Sequence, residues 1–287
     1  MTITAAMVKD LREKTGAGFM DSKKALEQCD GDIEKAMEFL RQKGIASAEK
    51  KQDRIAAEGL VATAIENGVG AIVEVNCETD FVAKNADFKE FVDGLARHIA
   101  TTKPADMDAL NTSVCPKYNL KIEDLVKEKI ATIGEKISIR RFEILTGDLA
   151  TYVHNGKIGV LISATAQDEA LLKDVALHIA SCAPEFVSRN EIPQSVIDEE
   201  TRIEMGKEDL AKKPENIRAK IVEGRVNKLM AQKCLLEQPF VKNPDVTVEG
   251  LLAGKLEIKS FVRWTLGEGL EKRKDNFAEE VRSQMVQ

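Results

Sequence analysis

The sequence predicts an α+β protein built from several small domains. Its 287 residues exceed the roughly 150 expected of a single domain. Short runs rich in β-branched residues alternate with longer amphipathic runs of helical period, and the same order of runs occurs twice in the middle of the chain. This pattern predicts two related core subdomains, each with a small antiparallel sheet of about three strands backed by helices.

The first 54 residues predict a three-helix module and a charged linker. Residues that often cap helices precede three amphipathic runs, and these are Thr4, Asp21 and Asp32. The first helix is expected to end at Gly16 and the third at Gly44, because glycine accepts the positive φ found at many helix ends. Three short helices bury little apolar surface, so this module is expected to dock onto another surface.

The middle of the chain contains an internal repeat. Each copy has a strand, an Asn-Gly pair that favours a tight hairpin turn, a second strand and a helix. The turns fall at Asn67-Gly68 and Asn155-Gly156, the helices end in a His-Ile-Ala triplet that begins at His98 or His178, and residues 134–142 correspond to residues 254–261. The equivalent positions of the two histidines favour a scaffold role for both.

Unequal spacing indicates what was added to each copy. Gly68 and His98 are 30 positions apart in the first copy, whereas Gly156 and His178 are 22 apart in the second. The eight extra residues fall at a strand-to-helix corner. Because the shared scaffold is expected to fold without them, they are expected to be functional.

The second copy has about 39 extra residues after Val187. Val196, Ile203 and Leu210 are seven residues apart, and after a break at Pro214 the apolar positions return at Ile217, Ile221 and Met230, which predicts an antiparallel helical hairpin. A solvated surface hairpin without a partner is the alternative. The predicted domains are 1–54 (three-helix module and linker), 55–146 (first core subdomain), 147–187 with 229–263 (second core subdomain), 188–228 (helical insertion) and 264–287 (C-terminal segment).

The extra residues of the first copy fall around Thr79 to Asn85, a stretch that is polar apart from Phe81 and its small apolar neighbours. It follows a buried strand and precedes an amphipathic helix. We interpret Thr79, Asp80, Phe81 and Val82 as a wedge that enters another protein. The alternative is that Phe81 folds back under its own helix.

A final helix is expected after Asp275, with Phe277, Val281 and Met285 spaced four residues apart. So narrow an apolar stripe leaves two interpretations open, since it either folds back on the core or lies on a partner.

The composition limits the classes of function. A net charge of −6 argues against a protein built mainly to hold nucleic acid. No apolar run approaches the roughly 18 residues needed to cross a membrane, and the chain begins with an amphipathic segment rather than a signal peptide, so we expect a cytoplasmic protein. The five scattered cysteines predict neither a disulfide framework nor a zinc site.

No catalytic pattern stands out. Neither a phosphate-binding loop nor a Gly-x-Gly-x-x-Gly helix start is present, and the carboxylates are spaced as on solvated helix faces. We therefore expect no catalytic residue, metal site or cofactor. The alternative is an enzyme whose catalytic site does not match these sequence patterns.

Three parts of the sequence resemble the elongation factor Ts family, the bacterial guanine-nucleotide exchange factors of the GTPase elongation factor Tu. They are Leu11 to Gly18 with Asp21 to Leu26, Glu74 to Asn85, and Val222 to Arg225 with Gln238 to Val241. They span nearly the whole chain in the family's order, and the central motif is highly specific. The resemblance implies a ubiquitin-associated-like N-terminal module, two related core subdomains, a coiled-coil insertion and a C-terminal module.

The resemblance also implies a mechanism and a partner. In the family, the segment corresponding to Thr79, Asp80, Phe81 and Val82 enters elongation factor Tu and disturbs the site that holds Mg²⁺ and the nucleotide phosphates. The N-terminal module and the last helix grip the GTPase elsewhere, for which the candidates are Leu11, Gly16, Phe277 and Val281. No direct contact with nucleic acid or membrane is expected.

The sequence leaves open the action of the protein on the GTPase and the role of the helical hairpin. A passive adaptor or chaperone-like protein would have the same modules and would bind the GTPase without accelerating GDP release. The helical hairpin has three roles open to it, namely a homodimer contact, a contact with the GTPase, or neither.

Overall fold

The computed structural model describes residues 3–210 and 213–271 and confirms an α+β fold with small antiparallel sheets. The helices are α1 (Ala5–Thr15), α2 (Phe19–Gln28), α3 (Ile33–Glu49), α4 (Asp80–Lys84), α5 (Ala86–Thr102), α6 (Met107–Thr112), α7 (Ile122–Ile133), α8 (Glu169–Cys182), α9 (Gln194–Met205), α10 (Glu215–Lys233) and α11 (Val248–Leu252). The strands are β1 (Glu58–Glu66), β2 (Val69–Cys77), β3 (Val114–Cys115), β4 (Leu120–Lys121), β5 (Ile137–Thr146), β6 (Asp148–His154), β7 (Ile158–Ala164), β8 (Pro239–Phe240), β9 (Asn243–Thr247) and β10 (Ile258–Thr265).

The described chain divides into two compact units. One contains the residues up to Ala62, Val73–Phe142 and the residues from Thr265, and the other contains Thr63–Ile72 and Glu143–Trp264. The five predicted domain boundaries stay predictions.

The N-terminal segment is the predicted three-helix module. The Thr4 side chain accepts a hydrogen bond from the Met7 N–H and begins α1, and Gly16 ends it with a φ of 67°. Asp32 likewise accepts from the Lys35 N–H at the start of α3. The interior of the module consists of small and medium apolar side chains, which are Val8, Leu11, Ala25, Leu26 and Ala36.

Two predicted helix ends in this module are wrong. The helix α2 begins after Gly18 rather than at Asp21, and the Asp21 carboxylate instead pairs with the Lys43 Nζ at 2.6 Å. Gly44 does not end α3, which continues to Glu49 through part of the predicted linker. A Cβ at Gly44 would lie 3.1 Å from the Ala131 Cβ of α7. Gly44 therefore allows close packing of α3 on α7, and its small size, not its backbone freedom, explains its position.

The first copy of the repeat contains the sheet β1-β2-β5. Its hairpin turn has positive φ at Asn67 and Gly68, as the Asn-Gly pair predicts. Every residue of β2 is buried. The helix α5 also buries the face predicted from its spacing, which is Phe88, Phe91, Val92 and Leu95.

The second copy contains the sheet β10-β7-β6, so the repeated order of elements is confirmed. The strands β6 and β7 pair antiparallel from Asp148 opposite Ala164 to His154 opposite Ile158. Asn155 and Gly156 again have positive φ at the turn. An apolar core of this copy includes Val160 and Ile162 of β7 with Leu172, Val175 and Ile179 of α8.

The helices α9 and α10 pack on each other and form the predicted hairpin. Its buried apolar side chains are Ile192, Leu210, Val222, Val226, Met230 and Cys234. Ile203 and Ile217, two of the apolar positions from which the hairpin was predicted, lie outside this buried set, because they are 50% and 47% exposed. The seven-residue spacing does not mark one buried face because α9 ends at Met205, before Leu210. The buried residue near the end of α9 is Glu204, which pairs with Lys207 and Arg225.

The two equivalent histidines belong to the scaffold. In fully buried His178, Nδ1 accepts from the Val241 N–H at 3.1 Å, so the neutral ring donates through Nε2 to the Gln238 Oε1 at 2.8 Å. His98 bonds through Nε2 to the Ser113 Oγ at 2.7 Å. Burial lowers the pKa of both imidazoles. His154 is exposed beside its turn.

We expect acid to destabilise the protein through His178. The pKa of His178 in the folded protein lies below its ordinary value in the unfolded chain. At a pH between these two pKa values, the unfolded chain binds a proton that the folded chain does not. Stability is therefore lost as the pH falls below about 6.5. In urea unfolding, His178→Leu should lower stability at neutral pH by about 2 kcal/mol or more and flatten this dependence on pH. An unchanged pH dependence in the variant would contradict this role.

Candidate functional site

The corner that follows β2 is a short helix, α4, and not an open loop. Thr79 caps it, since its Oγ1 accepts from the Val82 N–H at 3.4 Å. Asn85 then caps α5, because its Oδ1 accepts from the Asp87 N–H at 2.7 Å. The polar residues of the predicted segment thus stop one helix and start the next.

Phe81 lies on α4 with 80% of its surface exposed. No other large apolar side chain among the described residues is as exposed. The alternative that Phe81 folds under α5 is therefore wrong, because Phe88 and Phe91 already occupy the interior face of that helix. The only buried residue of α4 is Ala83. A short helix thus presents an aromatic ring to solvent on a buried base.

The other three residues of the predicted wedge play different parts. Asp80 pairs with the Lys84 Nζ at 2.6 Å, and both of these side chains are exposed. Val82 is partly buried. The Thr79 hydroxyl is used within the protein. Of these four residues, Phe81 and Asp80 are the ones whose side chains face outward.

Glu135 makes a clamp on this corner that the sequence reasoning missed. Its Oε2 accepts from the Thr79 N–H at 3.0 Å and from the Glu78 N–H at 3.1 Å, and its Oε1 accepts from the Thr79 hydroxyl at 2.6 Å. The sequence did contain one signal, since the corresponding place in the second copy holds Gly254 and Lys255 and has no carboxylate.

A second set of contacts joins the same two segments in the opposite direction, from the Glu78 side chain to the residue after Glu135. The Glu78 Oε1 accepts from the Lys136 N–H at 2.6 Å and from the Arg54 guanidinium at 3.1 Å. The Lys136 ammonium in turn donates to the Arg54 carbonyl at 2.9 Å. The end of β2, the segment after α7 and the linker before β1 are thereby held together.

Glu74 anchors β2 a few residues before the corner. Its fully buried carboxylate accepts from Arg140 (2.9 Å), Arg141 (2.7 Å), the Gly267 N–H (2.9 Å) and the Asn76 side-chain amide (3.2 Å). Burial acts to raise the pKa of Glu74, but these donors outweigh it and the pKa is lowered. The group stays ionised and serves as a structural anchor rather than as a proton donor.

The N-terminal module has an exposed apolar pair. Leu11, a predicted contact, is fully buried and so supports the module from inside, whereas Gly16 is exposed. The sequence reasoning missed Phe19 and Met20 at the start of α2, which are 48% and 58% exposed. Two further predicted contacts lie outside the described residues, namely Phe277 and Val281.

The described residues also bear on metal binding, membrane spanning and thiol reactivity. Within residues 3–210 and 213–271, no three His, Cys, Asp or Glu side chains are grouped to hold a metal ion. No helix in the same ranges is long and apolar enough to span a bilayer. Burial raises the pKa of Cys77 to about 12, so this thiol beside the corner is inert at neutral pH.

Comparison with known proteins agrees with the motifs around this corner. The family model described as "Elongation factor TS" matches residues 78–268. A curated protein from Nostoc sp. named "Elongation factor Ts" is 45% identical over 312 aligned positions, which cover 99% of this chain and 98% of that protein. The region matched by the family model includes Phe81, Glu135 and both buried histidines.

We expect Phe81→Ala to leave the stability of the isolated protein almost unchanged, within about 0.5 kcal/mol, because the ring is mainly in solvent. Phe88→Ala is the contrast, since removal of this fully buried ring should cost about 3 to 5 kcal/mol. Denaturant unfolding of the two variants measures both values. A large loss of stability in Phe81→Ala would show that the ring packs on the protein.

Proposed function

This chain belongs to the elongation factor Ts family, and we propose that it is the guanine-nucleotide exchange factor of elongation factor Tu. As a family member it is a translation elongation factor. In the proposed reaction it binds elongation factor Tu in its GDP form, disturbs the Mg²⁺ and phosphate site, and promotes GDP release so that GTP can bind. The observation that supports this most directly is the exposed Phe81 ring on a capped, clamped helix.

Phe81 is the proposed wedge. Burying a phenylalanine side chain is worth roughly 1.5 to 3 kcal/mol. If the ring is buried only in the GTPase conformation that binds nucleotide poorly, it favours that conformation by about tenfold or more. A ring that is already exposed need not leave a core of its own before it binds.

Asp80 is proposed to act beside the ring. Its partner Lys84 forms an exposed pair one helical turn away, and such surface pairs contribute at most about 1 kcal/mol. Asp80 can therefore exchange Lys84 for polar groups near the metal site of the GTPase at little cost.

The proposed action needs no covalent step, so the protein would not be an enzyme in the chemical sense. By thermodynamic linkage, a factor that weakens GDP binding is itself bound more weakly when GDP is present, by the same factor. This reciprocity lets nucleotide displace the factor and allows it to act repeatedly.

Other surfaces are proposed to supply the binding energy. The N-terminal module would dock through Phe19 and Met20, which closely follow Gly16 in the sequence, with Leu11 supporting them from inside. Phe277 and Val281, which lie outside the described residues, are proposed contacts of the C-terminal segment. The hairpin presents Ile203, Met205 and Ile217 for a proposed homodimer contact. We place the protein in the cytoplasm and propose no direct contact with nucleic acid.

We expect the wild-type protein to accelerate release of fluorescent GDP from elongation factor Tu. Phe81→Ala should lower the maximal rate about tenfold or more, because burial of the ring no longer favours the open GTPase. The half-maximal factor concentration should change less, since the other docking surfaces remain. Stopped-flow traces over a series of factor concentrations give both quantities.

Phe19→Ala is the matched control, because it removes an exposed ring from the N-terminal module. It should raise the half-maximal concentration more than it lowers the maximal rate. A Phe81→Ala protein that matches the wild type would refute the wedge. A wild-type protein that binds the GTPase without accelerating GDP release would favour the adaptor function instead.

A further inference from the structure

We propose that Glu135 is a positioning residue for nucleotide exchange, whose carboxylate holds α4 in the orientation that presents Phe81. This inference rests on the proposed function of Phe81, because Glu135 acts through the ring and not on the GTPase. Glu135 is 54 positions from Phe81 in the sequence and lies outside the motif of residues 79–85.

The short helix α4 has little to stabilise it. Its five residues are far fewer than the roughly 12 at which isolated helices become even marginally stable. Phe81 is mainly in solvent, and Ala83 is the one residue of α4 that is buried. The order of this helix therefore depends largely on the polar contacts at its N-terminus.

Glu135 binds the groups at that N-terminus. The Thr79 hydroxyl donates to Glu135 and accepts from the Val82 N–H, so one group joins the carboxylate to the helix. The Glu78 and Thr79 N–H groups point to the same carboxylate. Hydrogen bonds to an ionised acceptor are roughly twice as strong as neutral ones. Glu135 thus fixes both the backbone and the side chain of the cap.

Glu135 is itself held in place by packed elements. It follows Gly134, which ends α7 with a φ of 88°. The helix α7 packs closely on α3 at Ala131 and Gly44. The Lys136 N–H bond to Glu78 closes the clamp from the other side. Glu135 lies in the short segment between α7 and β5. A group held between two packed elements can position a neighbour more accurately than one on a free loop.

The second copy of the repeat provides an internal comparison. Its corner lacks the extra segment, and there the Thr165 N–H donates to the Glu257 carbonyl at 3.0 Å while the Thr165 hydroxyl accepts from the Glu257 N–H at 2.8 Å. A corner without a wedge therefore closes through backbone groups and a threonine, without a carboxylate clamp. Within this chain the clamp accompanies the wedge.

Glu135→Gln tests the role with little change in size. It replaces one acceptor oxygen by an amide NH₂ group, which would face a donor of the corner. We expect faster hydrogen exchange at the Glu78 and Thr79 amides, and a maximal GDP release rate from elongation factor Tu lowered about fivefold or more, because α4 is then ordered for only part of the time. The half-maximal concentration should stay within about twofold of the wild-type value. Glu128→Gln on α7 is the matched control and should change neither readout.

A double variant separates positioning from general destabilisation. If Glu135 acts through the ring, adding Glu135→Gln to the Phe81→Ala protein should lower the maximal GDP release rate by less than about twofold. If the two residues acted independently, their fold-reductions in rate would multiply. Thr79→Val removes the hydroxyl that joins the carboxylate to the helix and should resemble Glu135→Gln.

The outcomes distinguish this inference from the function on which it rests. Unchanged amide exchange, an unchanged maximal rate, or fully multiplying effects in the double variant would each overturn the role of Glu135 and leave that of Phe81 intact. A wild-type protein that fails to accelerate GDP release would refute the proposed function, and the positioning role would fall with it.

Discussion

The position of Phe81 has to be fixed by polar contacts, because a ring with 80% of its surface in solvent gains little from packing. The corner around it follows from this constraint. Thr79 caps α4 and Asn85 caps α5, so the chain forms two separate helices here. Glu135 accepts hydrogen bonds from N–H groups at the first cap that would otherwise bind water. The apolar interior supplies only a base for this arrangement, through Ala83 and the buried face of α5.

Two carboxylates near the corner, those of Glu74 and Glu135, have different structural roles. Glu74 is fully buried and accepts from four donors, so it fixes the fully buried strand that leads into the corner. Glu135 is nearer the surface and fixes the cap of α4. A buried carboxylate that lost one donor would destabilise the core, whereas loss of the Glu135 contacts is expected to loosen a surface helix. The first group therefore serves the fold, and the second serves the proposed function.

The sequence predicted the parts of this protein that depend on local patterns. Asn-Gly turns, the periodic face of α5 and the repeated order of elements depend on neighbours along the chain, and all are present. Gly44 and Ile203 were mispredicted because tertiary packing on α7 and the early end of α9 decided their places. The exposure of Phe81 was left open by the sequence, and Glu135 was missed, since a contact between distant positions leaves no periodic signal. Phe277 and Val281 stay predictions.

The coupling between nucleotide and factor tests the central claim most directly. It is measured by titrating elongation factor Tu with this protein in the presence and absence of saturating GDP and Mg²⁺. We expect GDP to weaken binding of the wild-type protein strongly and binding of Phe81→Ala much less, because the ring is the group that competes with the nucleotide site. Equal affinity of the wild-type protein for the two forms of elongation factor Tu would contradict the proposed wedge.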